Sequence, residues 1–300
     1  MISNWKATAK WWDDLWFTPK APESLTQTRV ICGLVAIVHF ASLALDGSQW
    51  FGSNGWLNVD AGRFLIGDNV EGTGSFYRWS ILYWFPDSLS IVAGVGLLAS
   101  VAMIAGIGSR LSPFIVWFCL CTFHHRAPLL ALTYEPLLVA FTAYLTIDPG
   151  RLAWFRPGLA SGESRISVNI VAHLIQYHLW IWIAFSLSSM LSHPIWWNGE
   201  ACWLLIEQRR GWLTLPEGWQ WIGQLLTHGV IASQAAVLFC MNQNASRWLG
   251  RWMLYLFIAS VLLLLNDWMY ASLLVAAGLI AWPVPFPHQV FQPKHANAPT

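Results

Sequence analysis

Residues 121–148 read CTFHHRAPLLALTYEPLLVAFTAYLTID, two apolar runs with ionisable residues where they meet. Arg126 and Glu135 stand within this apolar stretch, and His124 and His125 directly precede the arginine. An ionised side chain in the hydrocarbon layer of a membrane costs about 2.5–3.5 kcal/mol or more unless it is paired or faces a polar cavity. The stretch therefore predicts a membrane-embedded helical hairpin with a polar site near its connection.

The composition of the whole chain also indicates a membrane protein. Of its 300 residues, 56% are hydrophobic and only 10% are charged, and the mean hydropathy is +0.48. Soluble domains carry about 25% charged residues. The 22 tryptophans fit a bilayer interface, where indole rings concentrate. Because the net charge is +1 and no basic tract occurs, nucleic acid is not an expected partner. Membrane lipids are the expected partners, and the bacterial inner membrane is the expected location.

Apolar runs predict the transmembrane spans. A spanning helix needs roughly 17–25 mostly apolar residues. We expect an all-α, polytopic helical bundle of six to eight spans, with a best count of eight. The candidate spans are 29–46, 88–108, 111–126, 134–148, 167–191, 218–241, 247–265 and 267–283.

The distribution of Lys and Arg predicts the orientation. With the N-terminus inside, 11 of the 16 basic residues fall in inner segments and 5 in outer segments, which places both termini in the cytoplasm. Residues 1–28 then form an amphipathic segment on the inner surface, 29–283 the bundle, and 284–300 a polar tail. Two long outer segments are expected at 47–87 and 192–217, the second with a short interfacial helix.

This orientation brings polar residues from several chain regions to the outer face. The expected pocket opens to the outside, where Arg126 pairs with Glu135 or with an anionic headgroup. A structural ion pair that locks the hairpin is the alternative interpretation. The candidate pocket residues are His124, His125, Arg126, Glu135, His178 and Trp197.

Several short motifs together resemble one family. The run His124-His125-Arg126-x-Pro128 is followed by Glu135 and by a closing Asp-Pro-Gly at 148–150. WWDDLWFTPKAPESLTQTR precedes the first span, WFGSNGWL follows it, and a GIGSR turn and a W-x-G after the fifth span complete the series. In this order they resemble the HTTM family, the membrane domain shared by vitamin K-dependent gamma-carboxylases and many bacterial homologues.

One departure from that family bears on activity. The resemblance implies a catalytic lysine near the end of the fifth span, where this chain has Met190 or a direct neighbour of it. No lysine lies between Lys20 and Lys294, and methionine has no proton to exchange. The large soluble domain of the carboxylases is also missing from this sequence. Carboxylase activity is therefore not expected.

Three functional hypotheses remain open from the sequence. The first is a membrane subunit whose outer cavity binds a lipid or quinone-like molecule or docks another membrane protein subunit. The second is a haem- or quinone-linked oxidoreductase that uses histidines within the spans, since imidazoles at matched depth on adjacent helices can ligate haem. The third is a structural subunit of a larger membrane complex. The histidines in question are His39, His178 and His228, with His178 and His228 the favoured pair.

Overall fold

A computed structural model describes residues 2–65, 80–126, 131–150, 164–208, 218–241 and 244–282. Within these ranges the chain is all-α and forms no β-strand, apart from one isolated bridge between Lys20 and Arg165. The helices are α1 Ile2–Phe17, α2 Glu23–Phe51, α3 Val59–Leu65, α4 Leu89–Ala105, α5 Leu111–Arg126, α6 Glu135–Ile147, α7 Ile166–Ser192, α8 Pro194–Trp197, α9 Ala201–Gln208, α10 Gln220–Cys240, α11 Arg247–Ser260 and α12 Trp268–Ala281.

Each of the eight predicted spans coincides with a helix, but three of these helices are shorter than a typical membrane-spanning helix. Five helical segments in the described part of the chain are long and apolar enough to cross a membrane, which indicates an integral membrane protein. The shortest of the other three, α6, has 13 residues and rises only about 20 Å, against a hydrocarbon core of about 30 Å. The five are Glu23–Phe51, Pro86–Ala105, Ile166–Ser192, Gln220–Cys240 and Arg247–Leu265.

Glycines allow α2 and α4 to pack closely as an antiparallel pair. A Cβ added at Gly33 would press on Ile104, and one at Gly96 would enter the ring of Phe40. Small residues at such crossings let helix backbones approach, which is how membrane helices gain van der Waals contact. Helix α12 packs on the other side of α2, where Thr28 donates to a backbone carbonyl of α12. Helices α2 and α12 therefore form the centre of the bundle.

The expected tight turn before α5 is present. Gly106 ends α4 in the left-handed region at φ +67° and its N–H returns to Ala102 O and Met103 O. Gly108 also has positive φ, at +81°, and Arg110 is exposed just before α5 begins. A left-handed residue after a helix is favourable for glycine because it lacks a Cβ. The turn therefore reverses the chain within a few residues.

The N-terminal segment differs from its predicted boundaries. Its amphipathic part is α1, which leaves Trp11 and Trp12 exposed and packs on α7, where Asn169 Nδ2 donates to Leu15 O at 2.7 Å. Helix α2 already begins at Glu23, so residue 29 lies inside that helix rather than at its start. The expected interfacial helix of the 192–217 segment is α9, and the predicted tail at 284–300 lies outside the described residues.

Basic residues group at one end of the bundle, as the charge bias predicts. The end that carries them is called the inner end below, and the opposite end, with the α5–α6 connection, the outer end. Which end faces the cytoplasm stays a prediction. The basic side chains at the inner end, among those described, are Lys10, Lys20, Arg29, Arg110, Arg165, Arg247 and Arg251.

Candidate functional site

Arg126 ends α5 and is almost fully buried, with 1% of its surface exposed. Its Nη2 donates to Leu57 O at 2.6 Å, and its guanidinium carbon lies 5.3 Å from the centre of the Tyr83 ring. A Cβ at Gly62 on α3 would overlap Arg126 Nη1. The arginine is therefore enclosed by the chain between α2 and α4, of which residues 52–65 and 80–88 are described and which is called the outer loop below. A backbone carbonyl and a ring face of this loop compensate the charge of the arginine.

Glu135 opens α6, and the ion-pair partner that the structure gives it is His124. Oε2 of Glu135 lies 3.6 Å from His124 Nδ1, and the two side chains are 14% and 25% exposed. A carboxylate in the first turn of a helix is also favoured by the helix dipole. The predicted pairing of Arg126 with Glu135 is thus replaced by His124 with Glu135, and Arg126 bonds to the loop.

A second polar pair lies deeper than the first. His39 Nδ1 on α2 lies 2.9 Å from Tyr134 Oη, and both residues are buried. Tyr134 directly precedes Glu135 in the chain, so this pair adjoins the His124–Glu135 contact. We call His39, His124, Tyr134 and Glu135 the outer cluster. It joins α2, α5 and α6 through residues that can accept and donate protons.

Two of the predicted pocket residues make their contacts away from Arg126, His124 and Glu135. His178 is on α7 beside Tyr144 near the inner half of α6, with Nδ1 3.1 Å from the Tyr144 hydroxyl oxygen. Trp197 is 59% exposed, and its indole N–H donates to Leu191 O in the neighbouring segment. His178 therefore lies away from the outer site, whereas Trp197 is at the outer end and its place in a pocket stays a prediction. His125 does stay at the outer end, where its carbonyl accepts from the Tyr83 hydroxyl at 3.2 Å.

The favoured histidine pair does not lie at matched depth. Gln234 on α10 donates to Met190 on α7, and Trp180 donates to Leu238 O, which sets the antiparallel register of these helices. In that register His178 and His228 differ in depth by roughly 20 Å at about 1.5 Å of rise per residue. Such a separation is too large for two ligands of one haem iron.

The candidate histidines are also occupied by separate neighbours. His39 contacts Tyr134, His178 contacts Tyr144, and His228 Nδ1 lies 2.8 Å from Gln224 O of its own helix. No group of three or more His, Cys, Asp or Glu side chains that could hold a metal ion occurs within the described ranges. The arrangement favours hydrogen bonding over ligation for all three.

Met190, the residue at or next to the place of the expected catalytic lysine, lies in the contact between α7 and α10. Its sulfur accepts from Gln234 Nε2 at 3.3 Å, and Gln234 is fully buried. A thioether accepts hydrogen bonds weakly and exchanges no proton. This position therefore holds two helices together and offers no general base.

The sequence alone did not identify Tyr134, Tyr83 or Leu57 as site residues. Tyr134 directly precedes the Glu-Pro pair that begins α6, so a buried tyrosine beside an intramembrane carboxylate was a usable signal. Leu57 acts through its backbone carbonyl, which no residue pattern reports. Tyr83 depends on how the outer loop folds back over α5.

No family model, no curated protein and no solved structure matches this chain.

Proposed function

We propose that this integral membrane protein binds, at the outer cluster, the polar head of a molecule dissolved in the membrane, and that the molecule is of the quinone class. One observation carries the proposal: the His39–Tyr134 pair and the Glu135–His124 pair are connected, because Tyr134 and Glu135 are consecutive residues. The buried His39–Tyr134 pair is followed directly by Glu135, which contacts the more exposed His124. Such a series offers both hydrogen-bond donors and acceptors at the outer end of the bundle.

The charge balance of the cluster favours a neutral head over an anionic one. Arg126, the cation nearest in sequence, is buried and directed at Leu57 O and the Tyr83 ring. Glu135 is the partly exposed charged group and would repel a phosphate. A quinone carbonyl, by contrast, accepts hydrogen bonds from imidazole or phenol groups.

The surroundings suit an apolar ring and tail. Trp84 and Phe85 follow Tyr83 in the outer loop and are exposed. Aromatic side chains at this depth pack against flat apolar rings while their other face contacts lipid. A molecule arriving from the bilayer would meet these rings before it reached His124. Carboxylation is not part of the proposal because Met190 offers no base.

The test is to purify the protein in mild detergent and measure quinone and lipid that copurify, by mass spectrometry. Tyr134→Phe and Glu135→Gln should each lower bound quinone by up to about tenfold, because a typical hydrogen bond contributes about 0.5–1.5 kcal/mol. His228→Ala is the matched control, since His228 is exposed at the same end and bonds within its own helix.

Two outcomes would reject the proposal. One is wild-type protein that carries no quinone and does not bind an added short-chain quinone. The other is quinone binding that survives in Tyr134→Phe and Glu135→Gln variants that fold normally. If the ligand-free protein were stable only together with another subunit, a docking or structural role would replace ligand binding.

A further inference from the structure

The inner end contains a buried charge cluster that belongs to no part of the outer site. Asp148 follows α6 and is fully buried, and Arg165 Nη2 lies 2.9 Å from its Oδ1. Arg29 of α2 also interacts electrostatically with Asp148 and is only 3% exposed. Two arginines, one within α2 and one directly before α7, thus interact with one carboxylate.

The oxygens of Asp148 are already well occupied. Oδ1 accepts from Gly150 N at 2.9 Å in addition to its contact with Arg165, and Oδ2 accepts from Ser167 Oγ at 2.5 Å. A carboxylate offers about four lone-pair sites. With two hydrogen bonds and the ion-pair contact of Arg165 already in place, little capacity is left for a second arginine.

Arg29 retains donors that no described residue satisfies. Its Nε and Nη2 are buried and have no hydrogen-bond acceptor within the described ranges. A charged donor buried without a partner costs at least about 1–3 kcal/mol, so it needs a physical explanation. An anion that is not part of the polypeptide would supply the missing acceptor.

More positive charge lies toward the surface of this end. Lys20 pairs its backbone with Arg165 through N–H···O bonds of 3.2 and 3.0 Å, and its Nζ lies 3.4 Å from His173 Nε2. Burial, and next the charge of Arg247, lower the pKa of Lys20. Positive charge here exceeds negative charge, and a bound anion would relieve the repulsion.

We propose that the inner end binds a phosphate-bearing anion through Arg29 and Arg165, with Lys20 at its surface side. The planar guanidinium group matches a phosphate with two parallel hydrogen bonds, which suits the free Nε and Nη2 edge of Arg29. Exposed Trp11 and Trp12 on α1 place this end at headgroup depth. The phosphate comes from an anionic lipid headgroup or from free phosphate, and the test separates these sources.

The experiment uses the full chain in detergent. Native mass spectrometry measures retention of phosphatidylglycerol against phosphatidylcholine, and thermal unfolding is measured with added phosphatidylglycerol or with inorganic phosphate. Arg29→Gln and Arg165→Gln should each weaken retention of the anion by about tenfold or more. Arg110→Gln is the matched control, because Arg110 is an exposed arginine of the same end.

Preferential retention of phosphatidylglycerol that Arg29→Gln loses and Arg110→Gln keeps would support the lipid headgroup as the source. A thermal shift with inorganic phosphate alone, lost in Arg29→Gln, would support free phosphate. If Arg29→Gln does not fold, Arg165→Gln and the wild-type titrations give the result. Wild-type protein that shows neither lipid preference nor a thermal shift, or folded variants that bind as wild type does, would overturn the proposal.

Discussion

The two ends of the bundle compensate their buried arginines differently. At the outer end Arg126 bonds a backbone carbonyl and faces an aromatic ring, while the nearby carboxylate pairs with a histidine. At the inner end Arg29 and Arg165 share one fully buried carboxylate, Asp148. The outer end therefore combines a compensated arginine with a carboxylate and groups that exchange protons, whereas the inner end has surplus positive charge. This difference underlies the two separate proposals for the two ends.

Removing the shared carboxylate should have the largest effect on stability. Asp148→Ala leaves Arg165 without its ion-pair partner and Ser167 and Gly150 N without an acceptor. Breaking a buried pair by deleting one partner costs about 3–5 kcal/mol. We expect a large fall in the free energy of unfolding, measured by SDS titration of purified protein. Asp87→Asn, at an exposed position, is the control, and equal stability of the two variants would contradict the inner-end account.

A substitution at Gly62 should disturb the outer end without touching a charge. A Cβ there overlaps Arg126 Nη1, and the guanidinium is held between Leu57 O and Tyr83. Overpacking of this kind costs about 1–3 kcal/mol. Gly62→Ala should therefore lower the free energy of unfolding and speed protease cleavage of the outer loop.

The control for Gly62→Ala is Gly94→Ala. Gly94 lies within α4, and a Cβ at that position meets nothing within 4 Å. Replacing a helical glycine by alanine there should be neutral or stabilising by up to about 1 kcal/mol. If both variants behaved alike, the enclosure of Arg126 by α3 would be wrong.

The helices could be predicted from the sequence because they depend on local patterns. Residues 111–126 match α5, and 247–265 match the eleventh helix and its π-helical end. The exact ends of α6 could not be predicted, because the apolar window 134–148 also includes Tyr134 and Asp148, which lie just outside the helix. The true ends follow from turn geometry and from the buried contacts of these two residues.

The pairings of the candidate residues could not be predicted from the sequence. His124, Arg126 and Glu135 lie at the adjoining ends of α5 and α6, since a short connection joins these two helices, but only His124 and Glu135 are in contact. The partner of Arg126 depends on how the chain after α2 folds back, and Leu57 contributes only its backbone. Asp148 carried a usable signal: an acidic residue next to an inner segment rich in basic residues.

The two His–Tyr pairs offer a smaller test of the comparison. Tyr134→Phe removes the hydroxyl from buried His39 and should cost about 1–3 kcal/mol, because an imidazole nitrogen is left without its partner. Tyr144→Phe removes the hydroxyl from half-buried His178 and should cost about 0.5–1.5 kcal/mol. SDS titration compares the two. A larger loss for Tyr144→Phe would mean that the outer pair is not the more tightly enclosed.

The smallest expected effect is a change in the pKa of Lys20. Burial lowers this pKa first and the charge of Arg247 lowers it further, so Arg247→Gln should raise it part of the way toward its ordinary value. Between the lowered folded-state pKa and the ordinary value, the unfolded chain binds more protons, so stability rises with pH in this window and should rise less in the variant. The pH dependence of Lys20 acetylation, measured by mass spectrometry with Lys10 as the reference site, gives the pKa directly. An unchanged pH profile of Lys20 acetylation in Arg247→Gln would mean that Arg247 of α11 does not act on Lys20. The surplus positive charge that favours an anion at the inner end would then rest on Arg29 and Arg165 alone.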